Sequence, residues 1–213
     1  MSYQLKVVDL SGLPPADGML SQRERAFFET LRFPKRRTEW LGGRFALKQL
    51  AAEALGLTDL RQAEVLPHES GKPVLWVGGA PCPLAFSITH SRGYAVAAVS
   101  TTNRFLGIDL EKTEHRIEAW ANGFFHPSEL TDGGDAFLTA LWTQKEALVK
   151  LLGTGLSLNS YDVRCVNGRP QFFGPALDVY NAIGAPEISV QTCGLISGFM
   201  FSAAYGNGVS GGR

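Results

Sequence analysis

The stretch Leu141-Trp142-Thr143-Gln144-Lys145-Glu146-Ala147-Leu148-Val149-Lys150-Leu151-Leu152-Gly153 decides how the rest of the sequence is read. No Pro or Gly interrupts it before Gly153, and Leu138, Leu141, Trp142, Leu148, Val149 and Leu152 recur at helical spacing. At about 100° per residue they form one apolar stripe, on a helix that Gly153 stops. Thr139, Thr143, Glu146 and Lys150 line an adjacent face, where Glu146 and Lys150 are i,i+4 neighbours. On their own they read as a surface ion pair worth a few tenths of a kcal/mol. Lys145 differs, because it points into the apolar stripe and must snorkel or meet a partner. That lysine marks the helix as part of a site.

Outward from this helix the chain reads as α+β. Residues 3–10 form a strand, followed by Pro14-Pro15. Ser21-Gln22-Arg23-Glu24 has the form of a capping box and opens a helix to about Arg32. Lys35-Arg36-Arg37 leads into a second helix over 37–55, which Gly56 stops. The turn Ser70-Gly71-Lys72-Pro73 precedes a strand over 74–77. Residues 84–88 and 94–100 are strands joined by Thr89-His90-Ser91-Arg92-Gly93.

After a turn at Thr102-Asn103-Arg104 the pattern starts over. Val8-Asp9-Leu10 resembles Ile108-Asp109-Leu110 at an offset of 100, and Arg44-Phe45-Ala46-Leu47 matches Lys145-Glu146-Ala147-Leu148 at 101. Gly71-Lys72-Pro73 matches Gly168-Arg169-Pro170 at 97, and Gly93-Tyr94-Ala95 resembles Gly198-Phe199-Met200 at 105. Four such matches in order imply two copies of one strand–helix–helix–strands unit, 1–104 and 105–205, with a flexible Gly/Ser-rich tail over 206–213. The copies carry different chemistry. The second has Asp109, Glu111 and Glu146, where the first aligns Asp9, Ser11 and Phe45 and contributes Arg44, Lys72 and His90 instead. One site in a cleft between the copies is the expectation.

Composition narrows the function. With 213 residues, 45% hydrophobic and 19% charged, the chain describes a soluble globular protein. No apolar run reaches the ~20 residues of a membrane span, and no leader pattern opens it. Cys82, Cys165 and Cys193 form no CxxC, which suits reduced thiols of a cytoplasm and argues against a zinc site. The zero net charge argues against general nucleic-acid binding. Residues 1–105 hold 13 Lys and Arg against 9 Asp and Glu, whereas residues 106–213 hold 7 against 11. A basic half suits phosphates, and an acidic half suits a metal.

Asp109 and Glu111 lie two apart at a strand end and look to the same side. If Glu146 joins them within ~5 Å, each like-charged pair repels by roughly 3 kcal/mol at an effective dielectric of about 20. A cation resolves that cost, and oxygen-only ligands select Mg²⁺ or Mn²⁺.

Leu106-Gly107-Ile108-Asp109-Leu110-Glu111, then Phe124-Phe125-His126-Pro127-Ser128-Glu129, then Trp142-Thr143-x-Lys145-Glu146-Ala147-x-x-Lys150 resembles the signature of the 4'-phosphopantetheinyl transferases, in their monomeric two-lobed class. Phe86-Ser87-Ile88-Thr89-His90-Ser91 and Gly71-Lys72-Pro73 match two further blocks of that family. The resemblance implies two pseudo-twofold-related lobes, each a small, mostly antiparallel sheet packed with helices. It also implies a cytoplasmic monomer that moves the phosphopantetheine arm of coenzyme A to a serine of an apo acyl or peptidyl carrier protein, releasing adenosine 3',5'-bisphosphate. Asp109, Glu111 and Glu146 would hold Mg²⁺, with Lys150 on the pyrophosphate and Lys145 in support. Arg44, Lys72, Thr89 and His90 would hold the nucleotide end, while Lys35, Arg36 and Arg37 match the family's spacing poorly. Glu146 is the candidate base and, with Lys150, the catalytic pair. The same acids would also serve a metal-dependent nucleotide-pyrophosphate hydrolase, and a non-catalytic acceptor-binding module would need no magnesium.

Overall fold

The computed structural model describes residues 2–68, 71–131 and 133–207, without the side chain of Leu156. Ser70 of the expected turn and the tail from residue 208 onward lie outside the described residues. The chain divides into two units, Met1–Thr102 and Asn103–Arg213.

The first unit runs β1 (Gln4–Asp9), α1 (Gln22–Thr30), α2 (Pro34–Leu55), β2 (Ala63–Pro67), β3 (Pro73–Val77), β4 (Ala80–Pro81), β5 (Ala85–Ser91) and β6 (Tyr94–Ser100). Ser21 and Glu24 close the capping box that the sequence announces. α2 starts earlier than expected because Pro34 supplies a preset first turn, so Lys35, Arg36 and Arg37 are helical rather than a lead-in. β5 continues through Thr89, His90 and Ser91, leaving Arg92-Gly93 as the turn. β1, β6 and β5 form one antiparallel sheet and β2, β3 and β4 another. Ala46, Leu47, Leu50 and Ala51 of α2 pack with Val8, Ala97 and Val99, and with Val65 and Leu75 of the hairpin.

The second unit runs β7 (Phe105–Lys112), α3 (Glu118–Phe124), α4 (Gly134–Leu152), β8 (Val163–Val166), β9 (Arg169–Phe172), α5 (Gly174–Ala182), β10 (Glu187–Cys193) and β11 (Phe199–Asn207). Its sheet order, β10-β11-β7, repeats β5-β6-β1: the last strand of each unit lies between the first and the next-to-last. Gly206 and Asn207 belong to β11 and not to a tail. Ala147, Leu148, Leu151 and Leu152 of α4 pack with Val163, Cys165, Phe172 and Ala204. Gly153 caps α4 in the left-handed region at φ 75°, as Gly56 caps α2 at φ 67°.

The repeat is therefore an α+β unit used twice, but two of the sequence offsets align the wrong residues. Asp9 pairs across the sheet with Tyr94, whereas Asp109 pairs with Ser202, three positions beyond the Phe199 that an offset of 105 requires. The faces disagree as well. Val8 packs under α2, which turns Asp9 away, while Asp109 faces α4. Lys6, not Asp9, occupies the place equivalent to Asp109.

Among the described residues no helix is long and apolar enough to cross a membrane. All three cysteines are free, with Cys193 exposed on β10 and Cys165 buried. Burial, and then the charge of Glu129, push the Cys165 thiol up to about 11. Iodoacetamide at neutral pH is expected to label Cys193 and leave Cys165 intact until denaturant is added. Peptide mapping of the alkylated native protein checks this, and early labelling of Cys165 would contradict its buried placement.

Candidate active site

Gly107 sets the distance between α4 and its sheet. A Cβ there would run into the carbonyl oxygen of Ala147 and stand 2.5 Å from the Leu151 nitrogen. Without one, the helix rides directly on β7. Asp109 and Glu111 follow Gly107 at two-residue steps and share its α4-facing side. Lys150 can then reach across: its Nζ donates to Asp109 Oδ1 at 2.7 Å and to the Ile108 carbonyl at 3.1 Å.

Glu146 lies one turn before Lys150 on α4. Its carboxyl is pushed up first by burial, then by Asp109; Lys150 opposes this, and Glu111 adds to it. The structure thus brings Asp109, Glu111, Glu146 and Lys150 into one electrostatic neighbourhood, as the sequence led one to expect. The three acids are not gathered around a common point. Among the described residues no group of three His, Cys, Asp or Glu stands ready to hold a metal ion. Lys150 offsets one of three carboxylates that raise one another's energy, which leaves an oxygen-only donor set with surplus negative charge. The chemistry of that set, though not its spacing here, suits a hard divalent cation such as Mg²⁺.

Lys145 has a different role from the one the resemblance implies. It is 2% exposed, and its Nζ meets Glu129 at 2.9 Å, the Phe124 carbonyl at 2.8 Å and the Ser160 carbonyl at 2.7 Å. It also lies over the Phe125 ring. With all its donors committed inside the fold, Lys145 is not available to a pyrophosphate. The reading that it must meet a partner holds; its assignment to substrate does not. Trp142 lies edge-on to Phe124 and Phe125, with Trp120 completing the cluster. The Phe124–Glu129 and Trp142–Lys150 blocks are thus one packed assembly. Sequence reasoning quoted Glu129 but gave it no role, because only the fold places it against Lys145.

A second set of residues has no role that the sequence pattern announces. Thr143 and Ser202 hydroxyls lie 2.8 Å apart, Ser202 and Thr192 hydroxyls 2.9 Å apart, and Gln144 Nε2 donates to Thr192. Thr143 and Ser202 are fully buried, and Ser202 is the cross-strand partner of Asp109. This chain ties α4 to β11 and β10 behind the acids.

In the first unit, Arg44 of α2 lies with its guanidinium 4.2 Å from the centre of the Trp40 ring. Its Nε is buried without a hydrogen-bond partner among the described residues. Burial pulls its pKa down to about 10, with Glu24 opposing and Arg36 adding to the shift. A buried, incompletely paired guanidinium suits an incoming anion. His90 Nδ1 lies 3.8 Å from Glu39 of α2, a partner the sequence did not suggest. Thr89 and His90 are successive strand residues and therefore face opposite sides. His90 lies on the α2 side with Ile88, which touches Gly43; the buried Thr89 lies on the other, so the two do not form one pair of contacts. Lys72 is exposed in the β2–β3 turn. Arg37 donates to the carbonyls of Phe28 and Leu31, and Lys35 lies 3.9 Å from Glu39.

Comparison with known proteins gives these residues a context. Residues 24–100 match the 4'-phosphopantetheinyl transferase N-terminal domain model, and residues 105–177 match the 4'-phosphopantetheinyl transferase superfamily model. The chain is 36% identical to a holo-[acyl-carrier-protein] synthase of Geobacillus sp. (strain WCH70) over 88 residues, 39% of this chain and 73% of that protein. It is 31% identical to the 4'-phosphopantetheinyl transferase HetI of Nostoc sp. (strain PCC 7120) over 147 residues, 65% of this chain and 61% of that one. It is 33% identical to a Bacillus subtilis 4'-phosphopantetheinyl transferase over 131 residues, 57% of this chain and 56% of that one. Both matched segments run through the residues described above, from Arg44 and His90 to Asp109 and Lys150, and the chain belongs to the 4'-phosphopantetheinyl transferase superfamily.

Proposed function

We propose that the chain transfers the 4'-phosphopantetheine arm of coenzyme A to a serine hydroxyl of an apo acyl or peptidyl carrier protein, with Mg²⁺, releasing adenosine 3',5'-bisphosphate. The observation that carries this reading is the Lys150–Asp109 pair beside Glu146, set on one helix and one strand within the superfamily segment. The serine comes from the partner, so the chain needs no nucleophile of its own.

The serine oxygen bonds to the phosphorus carrying the pantetheine arm, and the bond from that phosphorus to the bridging oxygen breaks. The leaving nucleotide keeps the bridging oxygen. Glu146, placed on α4 one turn before Lys150, accepts the serine proton. Lys150 moves its charge from Asp109 to the phosphate oxygens as negative charge builds on them. Asp109, Glu111 and Glu146 would hold Mg²⁺, which when bound neutralises the pyrophosphate. Arg44, Lys72 and His90 grip the nucleotide end, with Arg44 the strongest of the three because it is the most desolvated.

Intact-protein mass spectrometry of apo acyl and peptidyl carrier proteins incubated with the enzyme, coenzyme A and Mg²⁺ tests the reading. The expected result is one phosphopantetheine on serine, equimolar adenosine 3',5'-bisphosphate, and neither product with chelator. Coenzyme A cleavage at the same rate without carrier protein would assign the site to a hydrolase instead. Calorimetry adds a check on the first unit: Arg44→Ala should weaken coenzyme A binding about tenfold or more, and Lys72→Ala less. Unchanged affinity in both variants would remove the first unit from the nucleotide site.

A further inference from the structure

Both units contain the same buried ion pair, and the reaction proposed above uses neither copy. In the first, Lys48 Nζ donates to Glu24 Oε2 at 2.5 Å and to the Met19 carbonyl at 2.6 Å. Glu24 Oε1 accepts from the Val65 amide at 2.9 Å, and Oε2 accepts from the Ser21 amide at 2.9 Å. In the second, Lys145 meets Glu129 and two carbonyls as described. Glu129 Oε1 accepts from the Cys165 amide at 3.0 Å, and Oε2 accepts from the His126 amide at 2.9 Å. Each glutamate is the third residue of a capping box, opened by Ser21 in one unit and by His126 in the other. Each lysine lies eight residues before the glycine that ends its helix, Lys48 before Gly56 and Lys145 before Gly153. Lys145 therefore corresponds to Lys48, not to Arg44 as the sequence offset of 101 suggests.

Each pair fastens three segments: the approach to a helix or turn, the long helix, and the first strand of the following hairpin. All four side chains are at most 2% exposed. Such a pair gains little stability over well-packed apolar residues of similar volume, because the desolvation cost offsets the attraction. An apolar contact, however, would let the helix slide or roll. An ammonium bonded to a carboxylate and to fixed carbonyls does not.

The residues beside each lysine are those with chemistry. Glu146 follows Lys145 directly and Lys150 stands five residues on; Arg44 lies one turn before Lys48 on the same side of α2. We infer that the two pairs are positioning devices: Glu129–Lys145 fixes α4 so that Glu146 and Lys150 meet the β7 acids, and Glu24–Lys48 fixes α2 so that Arg44 meets the nucleotide. The inference rests on the functional reading above. Its physical content is that a helix displaced by about 1 Å costs on the order of 10² in rate, while the 2.7 Å Lys150–Asp109 contact leaves little slack.

The test compares Glu129→Gln/Lys145→Met with Glu24→Gln/Lys48→Met in the full chain. Each double variant keeps side-chain volume and leaves no buried charge unpaired. Transfer kinetics are scaled by the folded fraction measured by near-ultraviolet circular dichroism. The second-unit variant should lose about 10–100-fold in kcat with KM for coenzyme A within about twofold. The first-unit variant should raise KM for coenzyme A about 5–10-fold with kcat within about twofold. Equal loss in both parameters after scaling, or no loss in either, overturns the inference, since a purely structural role predicts no split. Should a double variant fail to fold, the Glu129→Asp and Glu24→Asp variants, which keep both charges and only lengthen the contact, should show the same split at smaller size. A wild type that transfers nothing defeats the functional reading instead. In that case amide exchange decides the positioning role: faster exchange at 146–152 in Glu129→Gln/Lys145→Met at matched global stability supports it, and unchanged exchange overturns it.

Discussion

Glu146→Gln is expected to lower turnover by about 10²–10³ and to leave the melting temperature in magnesium-free buffer within a degree or two of wild type. The two halves of this expectation have separate physical causes. On the proposed mechanism, turnover falls because the amide can neither accept the serine proton nor supply a third negative ligand beside Asp109 and Glu111. Stability holds because ionised Glu146 sits in an unfavourable place, half-buried and repelled by Asp109 and Glu111, with Lys150 in opposition. The glutamine keeps size and helix propensity while removing that repulsion. Glu111→Gln should cost less, because Glu111 is half-buried at the strand end, whereas Asp109 is buried and paired with Lys150. Single-turnover transfer at saturating Mg²⁺, with calorimetric melting in chelator, checks both halves. Near-normal transfer by Glu146→Gln would place the chemistry elsewhere.

Gly107→Ala should have the largest structural effect of any glycine-to-alanine change among the described residues of the second unit. The new Cβ would meet backbone atoms of α4, the Ala147 carbonyl and the Leu151 nitrogen, and not a flexible side chain that could move aside. Relief requires the whole helix to lift from β7, at a cost of about 3 kcal/mol, or a fall of about 6–12 °C in melting temperature. The same displacement separates Lys150 from Asp109, so transfer should fall further than the unfolded fraction explains. Thermal melts paired with transfer assays below the transition test this. A melting temperature within one degree of wild type would mean that α4 does not rest on Gly107.

Much of this site can be read from the chain. The interrupted-free run from Leu141 to Gly153, the Ser21–Glu24 capping box and the glycine stops are local signals, and each is found where expected. The position of Lys145 inside an apolar stripe announced a partner. Which partner could not be read, because Glu129 comes from another segment brought alongside by the Trp120–Phe125–Trp142 cluster. The repeat was visible as an architecture but misaligned in detail. Short patterns such as Ile-Asp-Leu recur in any strand, whereas facing and register are fixed by pairing partners far along the chain. A one-turn slip on the helix preserves its apolar face, so Arg44 and Lys48 both fit as counterparts of Lys145 until the glutamates are seen. Thr89 and His90 are assigned together because they share one block of the family resemblance, and a shared block does not reveal that successive strand residues face opposite sides.

The two units solve the approach of helix to sheet from opposite sides. In the second the missing side chain is on the strand, at Gly107. In the first it is on the helix, where Gly42 faces Leu10 and Ala95 and Gly43 faces Ile88. The constraint on sequence drift is therefore inverted between the duplicated halves. At this contact Leu10, β5 and β6 can exchange one apolar side chain for another, while α2 must keep its small residues. α4 can vary its outer residues, but β7 cannot accept even a methyl at one point. Exchanging the long helices between the halves would place side chains against side chains in one and leave a void in the other, so the halves have become complementary parts that can no longer replace each other.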